Sequence, residues 1–217
     1  MSLKLYGYWR SSATYRVRIA LNLKQLDYEI VPVHLVKDGG QQHSEQYLGL
    51  NPAELVPTLY DDDEDIILNQ SLAIIEYVDE KYEQGVKLLP AHALERARVR
   101  TLALDFAADM QPLGNLRVLN YLQDEFNQDQ QGKARWACHW MQKGFAGVEK
   151  RLQSTAADYC FGFDVTLADV CLVPQVYNAE RFGLDMQQFP TIQRVADNCM
   201  QLDAFKKAQP HLQPDAE

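Results

Sequence analysis

Apolar and polar positions change period several times along the first part of the chain. Residues 3–8 alternate and predict a strand. From Ser12 to Lys24 the spacing turns helical, with Val17, Ala20, Leu21 and Leu23 near one face. Tyr28 to Val33 is rich in β-branched residues and predicts a second strand, which should run parallel to the first because a helix separates them. After Lys37-Asp38-Gly39-Gly40 a short helical stretch ends near Leu50. Val56-Pro57-Thr58-Leu59-Tyr60 and Asp65-Ile66-Ile67-Leu68 flank the acidic turn from Asp61 to Glu64, the pattern of a hairpin. A helix resumes at Ser71, with Ile74, Ile75 and Val78 apolar and Glu76, Asp79 and Glu80 polar. The order βαβαββα predicts a mixed sheet with helices on its faces, an α/β arrangement of the thioredoxin-like group.

Gly85 to Pro90 breaks this pattern, and beyond it no strand alternation is found. Helical spacing runs from Ala91 to about Phe126, from Gln130 to Thr155, from Thr166 to about Arg181 and from Thr191 to Met200. The boundary falls near residues 84–91, giving a thioredoxin-like domain over 1–84 and an all-helical domain over 91–217. Thr166 and Asp169 are spaced as a capping box, with Val165 and Val170 placed as a hydrophobic staple, which is a structural role. The segment after Pro210 is expected to fray.

Composition narrows the function. Of 217 residues, 47% are hydrophobic and 24% charged, enough apolar surface to fold without a partner. No stretch has the roughly twenty apolar residues that a bilayer span needs, and the opening segment alternates instead of forming an apolar leader. A cytoplasmic protein is expected. The net charge of −9 excludes nucleic acid and anionic membrane surfaces as partners, so an anionic substrate would have to meet local arginines. Cys138, Cys160, Cys171 and Cys199 form no Cys-x-x-Cys and read as isolated buried thiols of a reducing compartment. His34, His43, His92, His139 and His211 show no ligand spacing, so no metal is assigned.

Candidate chemistry lies where the first strand, ending Tyr8-Trp9-Arg10, meets the helix beginning around Ser11-Ser12-Ala13-Thr14. A helix N-terminus presents free N–H groups and the positive end of the macrodipole, which favour a thiolate. No cysteine stands there. A serine hydroxyl can donate a hydrogen bond to a thiolate that a ligand brings in, or it can simply cap the helix, and spacing alone leaves both readings standing.

The segments RSSATYRVRIALNLKQLDYE, HLVKDGGQQHSEQYLGLNPAELVPTL and NQSLAIIEYVDEKY resemble the signature segments of zeta-class glutathione transferases. MQPLGNLRVL and TLADVCLVPQVYNAERFGLDM are similar to the second domain of the same family. The resemblance implies the glutathione transferase fold, with glutathione as cofactor. It gives Ser11 and Ser12 to the thiolate, Val56 with a cis Pro57 to the cysteinyl backbone, Gln70 and Ser71 to the γ-glutamyl end, Gln42 to the glycyl end and Gln111 to the bound peptide from the second domain. Arg181 is matched to the family's second-domain arginine facing the active cleft; Arg10, beside the serine pair, is a candidate for the same anionic substrate, with Arg117 as a third. Arg16 and Arg18 read as helix residues in interdomain or surface ion pairs.

The activity implied is glutathione-dependent cis–trans isomerisation of maleylacetoacetate to fumarylacetoacetate, in a homodimer that pairs the first domain of one chain with the second of the other. Where the family has cysteine after the two serines this chain has Ala13, which loosens the distinction from isomerases of maleylpyruvate. A general detoxifying transferase would prefer an open apolar cleft to three arginines. A non-catalytic module of this fold would be expected to lose Ser11, Ser12, Pro57, Gln70 and Ser71, all of which are present.

Overall fold

The computed structural model describes residues 2–217. They divide into two compact units, one reaching to Leu88 and including Leu202–Glu217, the other Leu89–Gln201.

The first unit contains β1 (Leu3–Gly7), α1 (Ser12–Leu23), β2 (Tyr28–Pro32), two 3-10 turns (Lys37–Gly39 and Gln41–His43), α2 (Glu45–Leu48), β3 (Thr58–Asp61), β4 (Ile66–Asn69) and α3 (Ser71–Lys81). The sheet order is β2-β1-β3-β4. β1 and β2 are parallel, with Leu5 opposite Ile30, and β3 pairs antiparallel with both β1 and β4, as the strand–helix–strand and hairpin patterns require. Leu3 and Leu5 point inward on β1, and Leu59 is fully buried on β3. Val17, Ile19, Ala20 and Leu21 on α1 and Ile74, Ile75 and Val78 on α3 are also fully buried where the two helices pack. Each large aliphatic side chain so buried contributes about 1.5–3 kcal/mol.

The compact units depart in one segment from a division at 1–84 and 91–217. α9 (Asp203–Lys207) packs on α1, and the residues after Pro210 do not fray. Pro210 and Gln213 are buried, and Gln213 Nε2 donates to the carbonyls of Lys207 at 3.1 Å and Gln209 at 2.8 Å. Arg18 Nε donates to the Ala208 carbonyl at 3.0 Å. The segment is held by the buried Phe205 and Ala208 and by these hydrogen bonds, and hydropathy does not register the latter.

The second unit holds α4 (Ala93–Leu104), a π turn (Asp105–Met110), a 3-10 turn (Gln111–Gly114), α5 (Leu116–Phe126), α6 (Gln130–Thr155), α7 (Leu167–Phe182) and α8 (Pro190–Cys199). The single helix expected from Ala91 to Phe126 is therefore interrupted. Pro112 brings no N–H and its ring crowds the carbonyl four residues earlier, so the helix widens before it and tightens after it. Asn115 then restarts the helix, its Oδ1 accepting from Arg117 N–H at 3.1 Å. Gly144 on α6 receives Met110 of the wide turn, since a Cβ at Gly144 would stand 2.3 Å from Met110 Sδ. α7 begins with the expected capping box. Thr166 N–H donates to Asp169 Oδ2 at 2.8 Å, and Thr166 Oγ1 accepts from Ala168 N–H at 3.3 Å. Among the described residues, no helix is long and apolar enough to cross a membrane.

Candidate active site

Leaving β1, the chain makes a turn closed by Ser11 N–H donating to Tyr8 C=O at 3.0 Å. Arg10 stands on this turn with its guanidinium 5.2 Å from the Trp9 ring centre, a cation–π contact that orients it while leaving it partly exposed. Ser11 is the N-cap of α1, and its Oγ accepts from Thr14 N–H at 3.2 Å. Capping uses a lone pair of this hydroxyl and not its proton, so a hydrogen bond toward an anion remains open to it. Ser12, buried, is the first residue of the helix. The cap and the donor are thus compatible roles at one turn.

Arg16, one helical turn further on, is 3% exposed. It does not lie on the surface. Its Nε donates to the Ser12 carbonyl at 3.4 Å, and its Nη1 donates to Ser71 Oγ at 3.1 Å. One guanidinium therefore links the N-terminus of α1 to that of α3. With Oγ accepting from Arg16, the Ser71 hydroxyl proton is directed elsewhere, available to a carboxylate. Arg18 is likewise buried, its Nη2 donating to the Trp9 carbonyl at 2.9 Å. Sequence reasoning gave both arginines to ion pairs. The available signal was their position in a helix whose apolar residues fall on all sides.

Gln70, exposed, precedes α3 with φ 70° and ψ 114°, a left-handed value unusual for a residue with a side chain. No side chain caps α3. Its first N–H groups and dipole are thus presented to an incoming anion. Val56–Pro57 is a cis peptide, with Val56 two residues ahead of the first paired position of β3 and so beyond the ladders to β1 and β4. Gln42 is buried in the loop after β2. Its Nε2 lies 2.9 Å from His43 Nε2, while its Oε1 has no hydrogen-bond partner. Gly40, at φ 100°, makes room for it, because a Cβ there would stand 2.6 Å from the Gln42 side chain. A buried acceptor left unpaired costs about 1–3 kcal/mol, which a ligand N–H can recover. Arg16 brings Ser12 and Ser71 together, whereas Gln42 stands on its own loop.

The remaining candidates lie in the second unit. Gln111 opens the 3-10 turn just past the wide turn, Arg117 is exposed in the first turn of α5, and Arg181 is exposed near the end of α7. Arg181 Nη2 donates to Asn178 Oδ1 at 3.3 Å, and its guanidinium lies 4.1 Å from the Phe182 ring centre. The four cysteines are free thiols, three of them buried. Burial pushes the thiols of Cys138, Cys160 and Cys199 up. Among the described residues no group of three or more His, Cys, Asp or Glu side chains is placed to hold a metal ion. The first unit thus carries two helix N-termini, serine hydroxyls and, at Val56, a backbone position outside the strand ladders.

This sheet, followed by a helical unit, is the glutathione transferase fold, and residues 5–85 match the family model described as Glutathione S-transferase, N-terminal domain. A probable maleylacetoacetate isomerase from Vibrio cholerae is 55% identical over 216 residues, 100% of this chain and 99% of that one. The holo structure of a bacterial maleylpyruvate isomerase, a glutathione transferase of the zeta class, superposes with a TM-score of 0.93 at 42% identity, covering 99% of this chain and 100% of the other. A maleylacetoacetate isomerase from Methylobacterium extorquens, crystallised with bound malonate and glutathione, gives a TM-score of 0.93 at 39% identity, covering 99% of each chain. The chain belongs to the zeta-class glutathione transferases, the family of the maleylacetoacetate isomerases.

Proposed function

We propose that this chain catalyses the glutathione-dependent cis–trans isomerisation of maleylacetoacetate to fumarylacetoacetate. The observation that carries the reading is full-length identity of 55% to a probable isomerase of that substrate, in a chain that keeps the serine pair on α1 and the Gln70-Ser71 start of α3. Glutathione supplies the sulfur that adds to the conjugated double bond, lets it rotate as a single bond and leaves unchanged. Ser11 and Ser12 are assigned to hold that sulfur as thiolate. Val56, ahead of Pro57, is assigned to pair with the ligand backbone, Gln70 and Ser71 to bind its γ-glutamyl carboxylate, Gln42 its glycyl end, and Gln111 the same peptide. The uncapped start of α3 and the unpaired Gln42 Oε1 support these assignments.

Arg10, Arg117 and Arg181 are assigned to the anionic substrate, where a guanidinium fork grips a carboxylate and opposes the charge that develops on the carbonyl oxygen. Binding of malonate, a small dicarboxylate, by the Methylobacterium relative supports an anionic substrate. We further infer a homodimer acting in the cytoplasm, the four free thiols fitting a reducing compartment. The TM-score of 0.93 to a maleylpyruvate isomerase, the same as to the Methylobacterium relative, supports a second reading with the shorter substrate.

Steady-state kinetics with each maleyl acid, glutathione varied in turn, tests both. Arg181→Ala should raise the KM for the maleyl substrate about 30- to 150-fold, the equivalent of roughly 2–3 kcal/mol for a lost charge-assisted contact, and leave the KM for glutathione nearly unchanged. Arg181→Lys should restore only part, as it keeps the charge without the fork. More efficient turnover of maleylpyruvate would move the substrate assignment and keep the chemistry. Full activity in Arg181→Ala would remove this arginine from the site.

A further inference from the structure

The turn carrying Arg10, Ser11 and Ser12 is closed by a single backbone hydrogen bond, from Ser11 N–H to Tyr8 C=O. Yet both polar groups of the Trp9 backbone inside it are held by charged side chains. Trp9 N–H donates to Asp215 Oδ2 at 2.9 Å, and Trp9 C=O accepts from Arg18 Nη2 at 2.9 Å. Hydrogen bonds with an ionised partner are about twice as strong as neutral ones. Arg18 is anchored through its Nε to the Ala208 carbonyl at 3.0 Å, so both contacts lead back to the segment after α8.

That segment is built to hold its place. Asn22 Nδ2 on α1 donates to the Ala204 carbonyl at 2.9 Å, and Pro210 and Gln213 are buried. Glu217 pairs with Lys37 and lies 3.5 Å from His34 Nε2. His34 Nδ1 accepts from Val36 N–H at 3.2 Å and Lys37 N–H at 2.9 Å, which leaves the ring proton on Nε2 facing Glu217. Lys37 and Glu217 are both largely exposed, so this last contact is weak beside the one at Trp9.

We propose that Asp215, working with Arg18, is a positioning residue for the sulfur-holding turn, fixing the Trp9 peptide so that the Ser11 and Ser12 hydroxyls stay aimed at the glutathione thiolate. The proposal rests on the glutathione-dependent reading above. A mere anchor for the C-terminal segment would affect stability alone. A positioning residue also affects the ionisation of the bound thiol and the turnover number, since an error of about 1 Å in placing a reacting group costs up to roughly 100-fold.

The test titrates the thiolate absorbance of bound glutathione and measures kcat, both KM values and the thermal midpoint for the full chain and its variants. Asp215→Ala should lower kcat by about tenfold or more and move the bound thiol's titration to higher pH. Asp215→Asn should recover most of both, because its amide oxygen still accepts from Trp9 N–H. Glu217→Ala should match the wild type. If Asp215→Ala does not fold, Arg18→Lys, which cannot span both carbonyls, should show the same shift in the titration. An unchanged titration and kcat, or a fall in thermal midpoint alone, would overturn the proposal. Equal damage from Asp215→Asn and Asp215→Ala would also overturn it, by placing the effect in charge instead of geometry. A wild-type chain without glutathione-dependent turnover would instead sink the proposed function, and this inference with it.

Discussion

A guanidinium buried to 3% exposure must satisfy its donors, and Arg16 does so partly on Ser12 and Ser71, at the starts of two helices. Its charge adds to the positive ends of both dipoles, in the place where the assigned ligand is negative. Arg16→Ala should therefore cost about 3 kcal/mol of stability through the lost charge-assisted bonds, and also raise the KM for glutathione. Arg16→Lys reaches one acceptor at a time and should restore the stability less than halfway. Urea unfolding beside glutathione kinetics checks this, and a variant with wild-type KM would show that Ser71 needs no orienting partner. In the sequence, the serine pair was visible as a helix start that could either cap the helix or hold a thiolate, and the resemblance chose the second. Arg16 was not legible as a bridge, because spacing places a residue on a helix face without saying which groups of another helix lie opposite.

At the scale of elements, strands and short helices follow the hydrophobic period closely, because each has a clear stop. The stretch from Ala91 to Phe126 does not. Its apolar period continues through Pro112, and the remedy for the missing N–H, a wide turn followed by a tight one, leaves no mark on hydropathy. The end of β3 is joined to the end of α3 by a cluster that composition does show, as an acidic turn and a lysine. Asp61 Oδ2 accepts from Lys81 Nζ and Tyr77 Oη, each at 2.7 Å, and Asp61 Oδ1 from Asp63 N–H at 3.1 Å. Burial alone would push the Asp61 carboxyl up, but the hydrogen bonds from Lys81 and Tyr77 and the lysine charge outweigh it and hold it below the ordinary range. A carboxyl lowered on folding stabilises the fold above its unfolded pKa of about 3.9, and that contribution is lost as the pH falls through the folded value. Wild-type stability should drop more steeply below about pH 4 than that of Asp61→Asn, which has no such proton to take up. Urea midpoints between pH 7 and pH 3 measure the difference, and parallel curves would show that the cluster does not couple to folding.

For the whole molecule the net charge of −9 and the exposed apolar side chains pull in opposite directions on association. In the first unit Ile67 on β4 is 41% exposed, and in the second Leu94 and Leu104 on α4 are 54% and 47% exposed. Such side chains gain by being covered, at about 25 cal/mol for each Å² removed from water, as an interface in the homodimer proposed above would do. Two copies of the chain nevertheless repel each other at a distance, and the reach of that repulsion is set by salt: about 30 Å at 0.01 M and about 10 Å at 0.1 M. Contacts between apolar side chains are not screened in this way. The dimer should therefore tighten as salt is raised across that range, opposite to an interface held by ion pairs, which would loosen. Sedimentation equilibrium at the two salt concentrations should give a mass near twice 24.9 kDa, with a smaller dissociation constant at 0.1 M. If the proposed dimer covers them, Leu104→Glu and Ile67→Glu place a further negative charge in its interface, so each should weaken the dimer most at 0.01 M and recover in part at 0.1 M. Dissociation promoted by salt would show that charge pairs hold the interface. A fully active species of 24.9 kDa at micromolar concentration would show that one chain suffices for the reaction.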